Sequence, residues 1–310
     1  MNIYIIGCGG VGGFFGGLLL RAGKQVTFVT RPQECRILET RGLTVKSVVG
    51  NFTVKKVSVL GTISQIRDAD VILVTVKSYD LEGIARELAG VVSKKTIIIT
   101  FQNGIDNDSV LKKSIKDAAI YPGIAYVVAK RASPGIIEQT SGGRKLIFGD
   151  PGNNRNESLK GVAHFLICPG MEATYSADIA GDLWKKYVFI IAYAGMTSIS
   201  RSPIGAVMKN PVAYPLFEEC LREAVMVAKA EKVRLPKNIV KDTIAYTKKH
   251  DPSSKSSMLI DIENNRKTEI ETLHGTLVRL AEKHRISVPI NRLIYSSVSL
   301  WGSVDKNDKS

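Results

Sequence analysis

Six residues near the amino terminus, residues 7–12, have the spacing G-x-G-x-x-G. They directly follow Ile3–Ile6, a short apolar run that is typical of a buried parallel strand. They also open residues 11–22, where apolar side chains recur at helical spacing. Because glycines fall at such spacings by chance, it is the strand before and the helix after that make this pattern predict a dinucleotide-binding turn.

Each position of this turn has a physical role in such a site. Gly7 would permit the tight turn, Gly9 would let the backbone approach a pyrophosphate, and Gly12 would let the helix pack on the strand. Gly10 and Val11 open the helix, whose free N–H groups and positive dipole end would face the phosphates. The alternative is a glycine-rich turn that binds no ligand.

The residue type after the second predicted strand bears on the choice of nucleotide. Val26–Val29 is followed by Thr30 and Arg31. An NAD site usually places a carboxylate there, which accepts hydrogen bonds from the ribose 2′-OH, whereas an arginine can grip a 2′-phosphate. Arg31 therefore favours NADP, the alternative being an exposed arginine with no ligand.

The first half of the chain alternates strand-like and helix-like segments, which predicts an α/β class with a doubly wound Rossmann domain. Strands are expected at residues 3–6, 26–29, 71–76 and 97–100, and helices at residues 11–22, 33–40 and 81–88. Two hairpins are expected as well. One spans residues 43–60 with Gly50 and Asn51 in the middle, and the other spans residues 136–148 and turns through residues 141–143.

Strand signals nearly vanish after residue 176, so we expect a Rossmann domain at 1–176 and a mostly α-helical substrate domain at 177–310. Helices are expected at residues 184–198, 215–230, 237–248, 255–284 and 291–300. The fourth would be one long helix whose apolar stripe serves either an internal core or a homodimer interface. Residues 305–310 are expected to fray.

Composition excludes several classes of function. No run of about 18 apolar residues is present, so we expect no membrane span. The four cysteines and four histidines show no metal-ligand spacing, and scattered cysteines indicate reduced thiols in a cytoplasmic protein. The net charge of +14 is spread over the whole chain without a nucleic-acid motif, so a solvated basic surface is the better interpretation than nucleic-acid binding.

Nearly end to end, the sequence resembles the ketopantoate reductase (2-dehydropantoate 2-reductase) family. Besides the glycine pattern and Arg31, the matching motifs are Val76-Lys77, Gln102-Asn103-Gly104, Trp184-Lys185-Lys186, Ser256-Ser257-Met258-Leu259-x-Asp261-Ile262, Thr268-Glu269-Ile270 and Val288-Pro289-x-Asn291.

The resemblance implies roles for individual positions. Lys77 and Asn103 would act near the nicotinamide and its ribose, and Ala129 would make a backbone contact to the cofactor. Lys186 matches the catalytic lysine of the family. Glu269 and Ser257 match residues at the junction of cofactor and substrate, and Glu269 is expected to act in catalysis with Lys186. Asn103, Lys186 and Ser257 are expected to contact the substrate.

The expected reaction explains why a lysine is needed. Hydride delivered to a 2-keto carbon leaves negative charge on the carbonyl oxygen, which a cation stabilises and can protonate. Burial would lower the pKa of Lys186 and make it a better acid. Taken alone, Lys186 would be interpreted as an exposed helix lysine; the motifs around it favour the catalytic role.

The sequence departs from the family at the substrate. Ile190, Ala194, Ile204 and Ser254 stand where the family has asparagines. Each lost hydrogen bond to a polar substrate costs about 1–3 kcal/mol, so we expect inefficient ketopantoate reduction unless other residues compensate. Ile190, Tyr193, Ala194 and Met196 would instead line a more apolar pocket.

Three hypotheses follow. The leading one is an NADPH-dependent reductase that converts ketopantoate to pantoate in pantothenate biosynthesis. The second is a related NADPH reductase that acts on a less polar keto acid or carbonyl. The third is a dinucleotide-binding protein without turnover, which the presence of Lys186, Ser257 and Glu269 disfavours.

Overall fold

The computed structural model describes residues 1–152 and 155–303. The chain divides into two compact units, Met1–Gln102 with Asp106–Ile179 and Asn103–Ile105 with Ala180–Ser310. The first unit is Rossmann-like and the second is helical, which confirms the predicted fold class. Residues 305–310, which the sequence predicts to fray, lie outside the described part.

Within the described residues the strands form one sheet, in the order β4-β3-β9-β8-β7-β6-β1-β2-β5, with β10 pairing with β9. The strands are β1 (Ile3–Ile6), β2 (Val26–Val29), β3 (Leu43–Ser47), β4 (Phe52–Val54), β5 (Ser58–Leu60), β6 (Val71–Val74), β7 (Ile97–Thr100), β8 (Ala119–Ser133), β9 (Ile136–Phe148) and β10 (Glu172–Tyr175). The run from β5 through β2, β1, β6 and β7 to β8 is entirely parallel. Its apolar strands are mostly buried, as both-face coverage requires.

The helices of the first unit follow these strands. They are α1 (Gly10–Arg21), α2 (Pro32–Arg41), α3 (Leu81–Leu88), α4 (Asn107–Ser114) and α5 (Glu157–Leu166). Helix α1 buries Phe14, Phe15 and Leu18 in the core formed with β1 and β2. The predicted strands and helices of this half are confirmed, with α3 at the predicted bounds and β6 ending two residues early.

The first predicted hairpin is confirmed over residues 43–54, where β3 and β4 pair antiparallel on either side of Gly50 and Asn51. Its predicted end is wrong, because β5 pairs parallel with β2 instead. The second is wrong. Residues 136–148 form the single strand β9, which pairs antiparallel with β8. The actual turn lies between the two strands, where Gly135 has a φ of 75°. Gly142 occupies an irregularity in the ladder, where a Cβ would lie 2.7 Å from the Val128 nitrogen.

The second unit contains the remaining helices. They are α6 (Ile179–Ser200), α7 (Ile204–Lys209), α8 (Ala213–Ala230), α9 (Ile239–Thr247), α10 (Ser257–Glu263), α11 (Thr276–Lys283) and α12 (Pro289–Ser303), with a π-helical turn at Glu271–Gly275. The apolar core of this unit is built mainly from α6, α8, α11 and α12. In the described residues, no helix is both long and apolar enough to cross a membrane.

The long helix predicted at residues 255–284 is wrong, because α10 ends at Glu263. Asn265 adopts a left-handed φ of 52°, and the Arg266 amide donates to the Asp261 carbonyl at 2.8 Å. This is how an αL residue closes a helix carboxyl terminus, and asparagine is one of the few residues that tolerates it. The stripe that suggested a homodimer interface belongs largely to the core of the second unit.

A buried carboxylate holds the amino terminus of α12. Glu223, 1% exposed on α8, accepts hydrogen bonds from the Ile290 amide at 2.8 Å and the Asn291 amide at 2.9 Å. Its Oε2 also accepts from Asn291 Nδ2 at 2.6 Å. These bonds satisfy donors that a helix start leaves unpaired, and the negative charge complements the helix dipole.

Glu223→Ala should therefore lower the free energy of unfolding by about 2–4 kcal/mol, because two buried donors and one part-buried donor lose their acceptor. Urea denaturation of the purified protein measures this loss. Glu218→Ala is the matched control on the same helix, since Glu218 pairs with the half-exposed Arg222 and should change stability by less than about 1 kcal/mol. Equal losses in the two variants would contradict the capping role.

Candidate active site

The glycine turn between β1 and α1 is fixed by hydrogen bonds from neighbouring strands. Gly7 has a φ of 98°, which favours glycine, and its amide donates to the Val29 carbonyl at 2.9 Å. Thr75, just after β6, donates through Oγ1 to the Ile6 and Gly7 carbonyls at 2.9 and 2.8 Å. A Cβ at Gly12 would lie 2.1 Å from the Gly7 carbonyl oxygen. Gly12 therefore lets α1 pack against the turn.

Gly9 and Gly10 differ in what surrounds them. A Cβ at Gly10 would lie 2.2 Å from the Ala129 carbonyl oxygen, so β8 packs against the first turn of α1. A Cβ at Gly9 would meet nothing within 4 Å. Packing within the protein therefore does not require glycine at this position. A ligand that approaches the backbone closely would require it. Gly9 caps α1 without a side-chain hydrogen bond and no acidic residue lies in the first turn, so the turn fits a pyrophosphate.

Arg31 lies where β2 gives way to α2. It is exposed, caps α2 and forms no salt bridge with any residue in 1–152 or 155–303. Its extended backbone, with ψ of 145°, is that expected before Pro32. A free guanidinium at this end of the sheet is suited to bind a phosphate group.

Lys77 and Asn103 follow the neighbouring strands β6 and β7. Lys77 is half-buried and precedes the 3₁₀ turn Ser78–Asp80 that leads into α3. Gln102 is buried and donates through Nε2 to the Val74 and Val76 carbonyls at 2.8 and 3.0 Å, which holds the backbone leading to Lys77. Asn103 is half-buried and groups with the second unit, and Gly104 after it has a φ of 120°.

Lys186 lies on α6, two residues after Trp184. The Tyr187 ring packs edge-on against Trp184, and its hydroxyl donates to the Leu273 carbonyl at 2.6 Å, which fixes this part of the helix. Lys186 itself is half-buried, and burial lowers its pKa to about 8 while the Glu269 carboxylate acts in the opposite direction. Glu269 is 7% exposed. The structure thus brings Lys186 and Glu269 together.

Ser257 is the first residue of α10 and is exposed. The preceding Ser256 caps α10, accepting from the Leu259 amide at 3.1 Å, and its hydroxyl lies 2.7 Å from Thr197 Oγ1 on α6. Because Thr197 lies three turns along α6 from Lys186, the same helix positions both the lysine and the segment that carries Ser257.

Comparison with known proteins identifies the family. A model described as ketopantoate reductase PanE/ApbA matches residues 3–153, and one described as its C-terminal domain matches residues 178–300. The chain belongs to the ketopantoate reductase family.

Individual relatives agree with this assignment. The 2-dehydropantoate 2-reductase of Halobacterium salinarum is 30% identical over 97% of this chain and 98% of its own length. The uncharacterized oxidoreductase YkpB of Bacillus subtilis is 26% identical over 97% and 99%. The crystal structure of a PanE/ApbA family ketopantoate reductase from Ralstonia eutropha JMP134 superposes with a TM-score of 0.89, at 27% identity and coverage of 97% and 98%. Members of the ketopantoate reductase family are oxidoreductases.

Four positions carry other residues where the ketopantoate reductase family has asparagines. These four residues differ in exposure. Ala194 is 3% exposed and Ile204 is 1% exposed, and both belong to the apolar core of the second unit. Ile190 is half-buried on the same face of α6 as Lys186. Ser254 is half-buried and forms a hydrogen bond with Tyr193. Burial raises the pKa of Tyr193, and this hydrogen bond acts in the opposite direction.

Four aromatic side chains cluster beside this face. Phe189 and Tyr193 of α6 have ring centroids 5.2 Å apart. Tyr246 and His250 complete the cluster, with the His250 ring stacked on Phe189 at 5.4 Å and Tyr246 edge-on to His250 at 4.8 Å. Of the residues predicted to line an apolar pocket, Ile190 and Tyr193 keep exposed surface, whereas Ala194 and Met196 are buried in the core.

Sequence reasoning missed the residues that support the site. Thr75 and Gln102 hold the strand ends through hydrogen bonds, and Thr197 and Ser256 hold the Ser257 segment. Thr75 could have been found from the sequence, because it is a polar residue at the end of an apolar strand. Gln102 and Ser256 lie in motifs that resemble the family, but those motifs did not indicate a supporting role for either residue. Thr197 carries no such signal, because its partner is distant in the chain.

Proposed function

We propose that this protein is an NADPH-dependent reductase of a 2-keto acid. The observation that carries the proposal is Lys186, a lysine whose pKa is lowered to about 8 beside the buried carboxylate of Glu269. A lysine with a pKa near neutrality is an effective proton donor, and the sequence resemblance matches Lys186 to the catalytic lysine of this oxidoreductase family.

The cofactor would be held at the glycine turn and by residues that follow the neighbouring strands. The residues proposed to contact it are Gly7, Gly9, Gly10, Val11, Gly12, Arg31, Lys77, Asn103 and Ala129. The open space at Gly9 supports a phosphate-bearing dinucleotide, as does Arg31, which forms no salt bridge within the described residues. Arg31 also supports NADP over NAD. When bound, the reduced nicotinamide supplies a hydride for the keto carbon.

Lys186 supplies the proton. Its ammonium stabilises the negative charge that develops on the carbonyl oxygen and protonates that oxygen to give the 2-hydroxy acid. Glu269 keeps Lys186 charged by raising its pKa against the effect of burial. Asn103 and Ser257 would bind the substrate by hydrogen bonds, which their amide and hydroxyl groups can form.

Ketopantoate is the leading substrate, because relatives that span nearly the whole chain are 2-dehydropantoate 2-reductases, and reduction would give pantoate for pantothenate biosynthesis. A second candidate is a 2-keto acid with an apolar tail. Ile190 and Tyr193 on the Lys186 face, together with the aromatic cluster beside it, favour such a tail over a hydroxylated one.

Steady-state assays with NADPH and a substrate panel test the proposal. The panel contains ketopantoate, pyruvate, 4-methyl-2-oxopentanoate and phenylglyoxylate, each followed by loss of reduced-nicotinamide absorbance. Turnover of any of them supports the reductase. The highest kcat/KM for ketopantoate identifies the first candidate, and the highest for an apolar acid identifies the second. NADPH binding without turnover of any keto acid would instead support a dinucleotide-binding protein without reductase activity.

The reduction should depend on pH through Lys186. Only the protonated ammonium can donate, so kcat/KM should be constant below the pKa of about 8 and fall about tenfold per pH unit above it. In Glu269→Gln the carboxylate that raises the pKa of Lys186 is gone, so the descending limb should move to lower pH. A descending limb that is unmoved in this variant would contradict the pairing of the two residues.

A further inference from the structure

A buried carboxylate lies three residues after Arg31. Glu34, in the first turn of α2, is 6% exposed. Its Oε2 accepts hydrogen bonds from Arg131 Nη1 at 2.7 Å and from Thr30 Oγ1 at 3.0 Å. Its Oε1 is buried and has no hydrogen-bond partner in the described part of the chain. Arg131 remains 44% exposed, so only one member of this ion pair is deeply buried.

The ion pair lies next to the glycine turn. Burial raises the pKa of the Cys8 thiol, the charge of Glu34 raises it further and the charge of Arg131 opposes the rise, so both charges act within the turn. Arg131 lies two residues after Ala129, and the Ala129 carbonyl packs against Gly10. Glu34 and Arg131 are therefore placed at the end of the sheet where Arg31 and the turn lie.

The sign of the charge at this place decides which dinucleotide is favoured. A carboxylate after the second strand accepts hydrogen bonds from an unmodified ribose and repels a 2′-phosphate. Glu34 lies in the first turn of α2 and is buried, so its negative charge would act on a 2′-phosphate through space rather than by contact. Arg131 neutralises it, and the charge that remains is the positive charge of Arg31.

We propose that the Arg131–Glu34 ion pair sets the cofactor preference of this protein: Arg131 masks a carboxylate that would otherwise favour NADH, which leaves Arg31 to bind the 2′-phosphate of NADPH unopposed. This inference rests on the proposed function only in requiring that the protein binds a nicotinamide dinucleotide. Removing Arg131 leaves the buried charge of Glu34 uncompensated, so the effect should exceed that of removing an arginine whose partner is exposed.

Dissociation constants for NADPH and NADH, measured by quenching of intrinsic fluorescence, test the inference without turnover. In Arg131→Gln the Kd for NADPH should rise about tenfold, because an unscreened carboxylate acts on the phosphate, and the Kd for NADH should change by less than about threefold. In Glu34→Gln the preference for NADPH over NADH should increase, because Arg131 is released. The double variant should return to within about threefold of the original ratio, because the two charges cancel.

Lys130→Gln is the matched control. It removes a neighbouring cation that pairs with Glu138 at 3.3 Å rather than with Glu34, and it should leave the ratio of the two constants unchanged. Circular dichroism and thermal melting establish that each variant is folded. If Arg131→Gln does not fold, Glu34→Gln alone decides, since its ratio must still move toward NADPH.

An unchanged ratio in Arg131→Gln and Glu34→Gln, or a double variant that fails to return toward the original ratio, would overturn the inference while the original protein still binds NADPH. If the original protein binds neither nucleotide, the proposed function is overturned together with the inference.

Discussion

Lys186→Met lowers kcat for NADPH-dependent keto acid reduction by about 10²–10⁴-fold while the Kd for NADPH changes by less than about threefold. The substitution keeps the volume of the side chain but removes both the positive charge on the developing oxyanion and the proton donor. Neither is needed to hold the dinucleotide, since the residues proposed to bind it exclude Lys186. Steady-state kinetics and fluorescence titration measure the two quantities.

Lys185→Met is the matched control for this effect. Lys185 is the adjacent lysine on α6, and it forms an ion pair with Asp182 at 3.0 Å one turn earlier. Losing an exposed pair of this kind should cost less than about 1 kcal/mol of stability and leave kcat within about twofold. Equal loss of kcat in both variants, or an unchanged kcat in Lys186→Met, would contradict the role given to Lys186.

The second large effect is expected at Gly9. Because a Cβ there meets nothing within 4 Å, Gly9→Ala should change the free energy of unfolding by less than about 1 kcal/mol. The methyl group would nevertheless occupy the space proposed for the pyrophosphate. Losing one charge-assisted hydrogen bond costs about 1.5–3 kcal/mol, so the Kd for NADPH should rise roughly ten- to hundredfold.

Two other glycines give this prediction its controls. A Cβ at Gly83 in α3 would also meet nothing within 4 Å, so Gly83→Ala should affect neither binding nor folding adversely. Gly12→Ala should destabilise the protein, because its Cβ would lie 2.1 Å from the Gly7 carbonyl oxygen. If Gly9→Ala binds NADPH as tightly as Gly83→Ala does, the glycine turn is not the pyrophosphate site.

The parallel part of the sheet could be predicted because its signals are local. Each of β1, β2, β6 and β7 is a short run of β-branched residues between helical segments, and burial on both faces requires such runs. The prediction of a hairpin at residues 136–148 was wrong because Gly142 and Gly143 have the sequence of a turn. In the structure they lie in an irregular part of the ladder between β9 and β8. The Pro134-Gly135 signal marked the actual turn.

The prediction of one helix at residues 255–284 was wrong for a related reason. Its apolar stripe continues across the break, because α10 and the π-helical turn contribute to the same core. Periodicity therefore could not reveal that Asn265 would take an αL conformation and end α10. The two consecutive asparagines 264 and 265 were the local signal for a helix end.

The candidate site was predictable in unequal parts. The glycine turn and Arg31 carry their chemistry in residue type and spacing, and the resemblance to the family supplied Lys186 and Glu269. The Arg131–Glu34 pair joins residues 97 positions apart, one at a helix start and one in a long strand. Neither position has a sequence signal for burial or pairing, so only the folded chain could reveal it.

Transfer of deuterium from NADPH tests the proposed reduction most directly. NADPH labelled at one or the other face of nicotinamide C4 is incubated with the protein and the keto acid that it turns over fastest, and the product is analysed by mass spectrometry. Hydride transfer predicts a 2-hydroxy acid that carries deuterium at C2 from one of the two labelled forms and none from the other. A product without deuterium from either form, or no 2-hydroxy acid with any member of the panel, would contradict the assignment as a keto acid reductase.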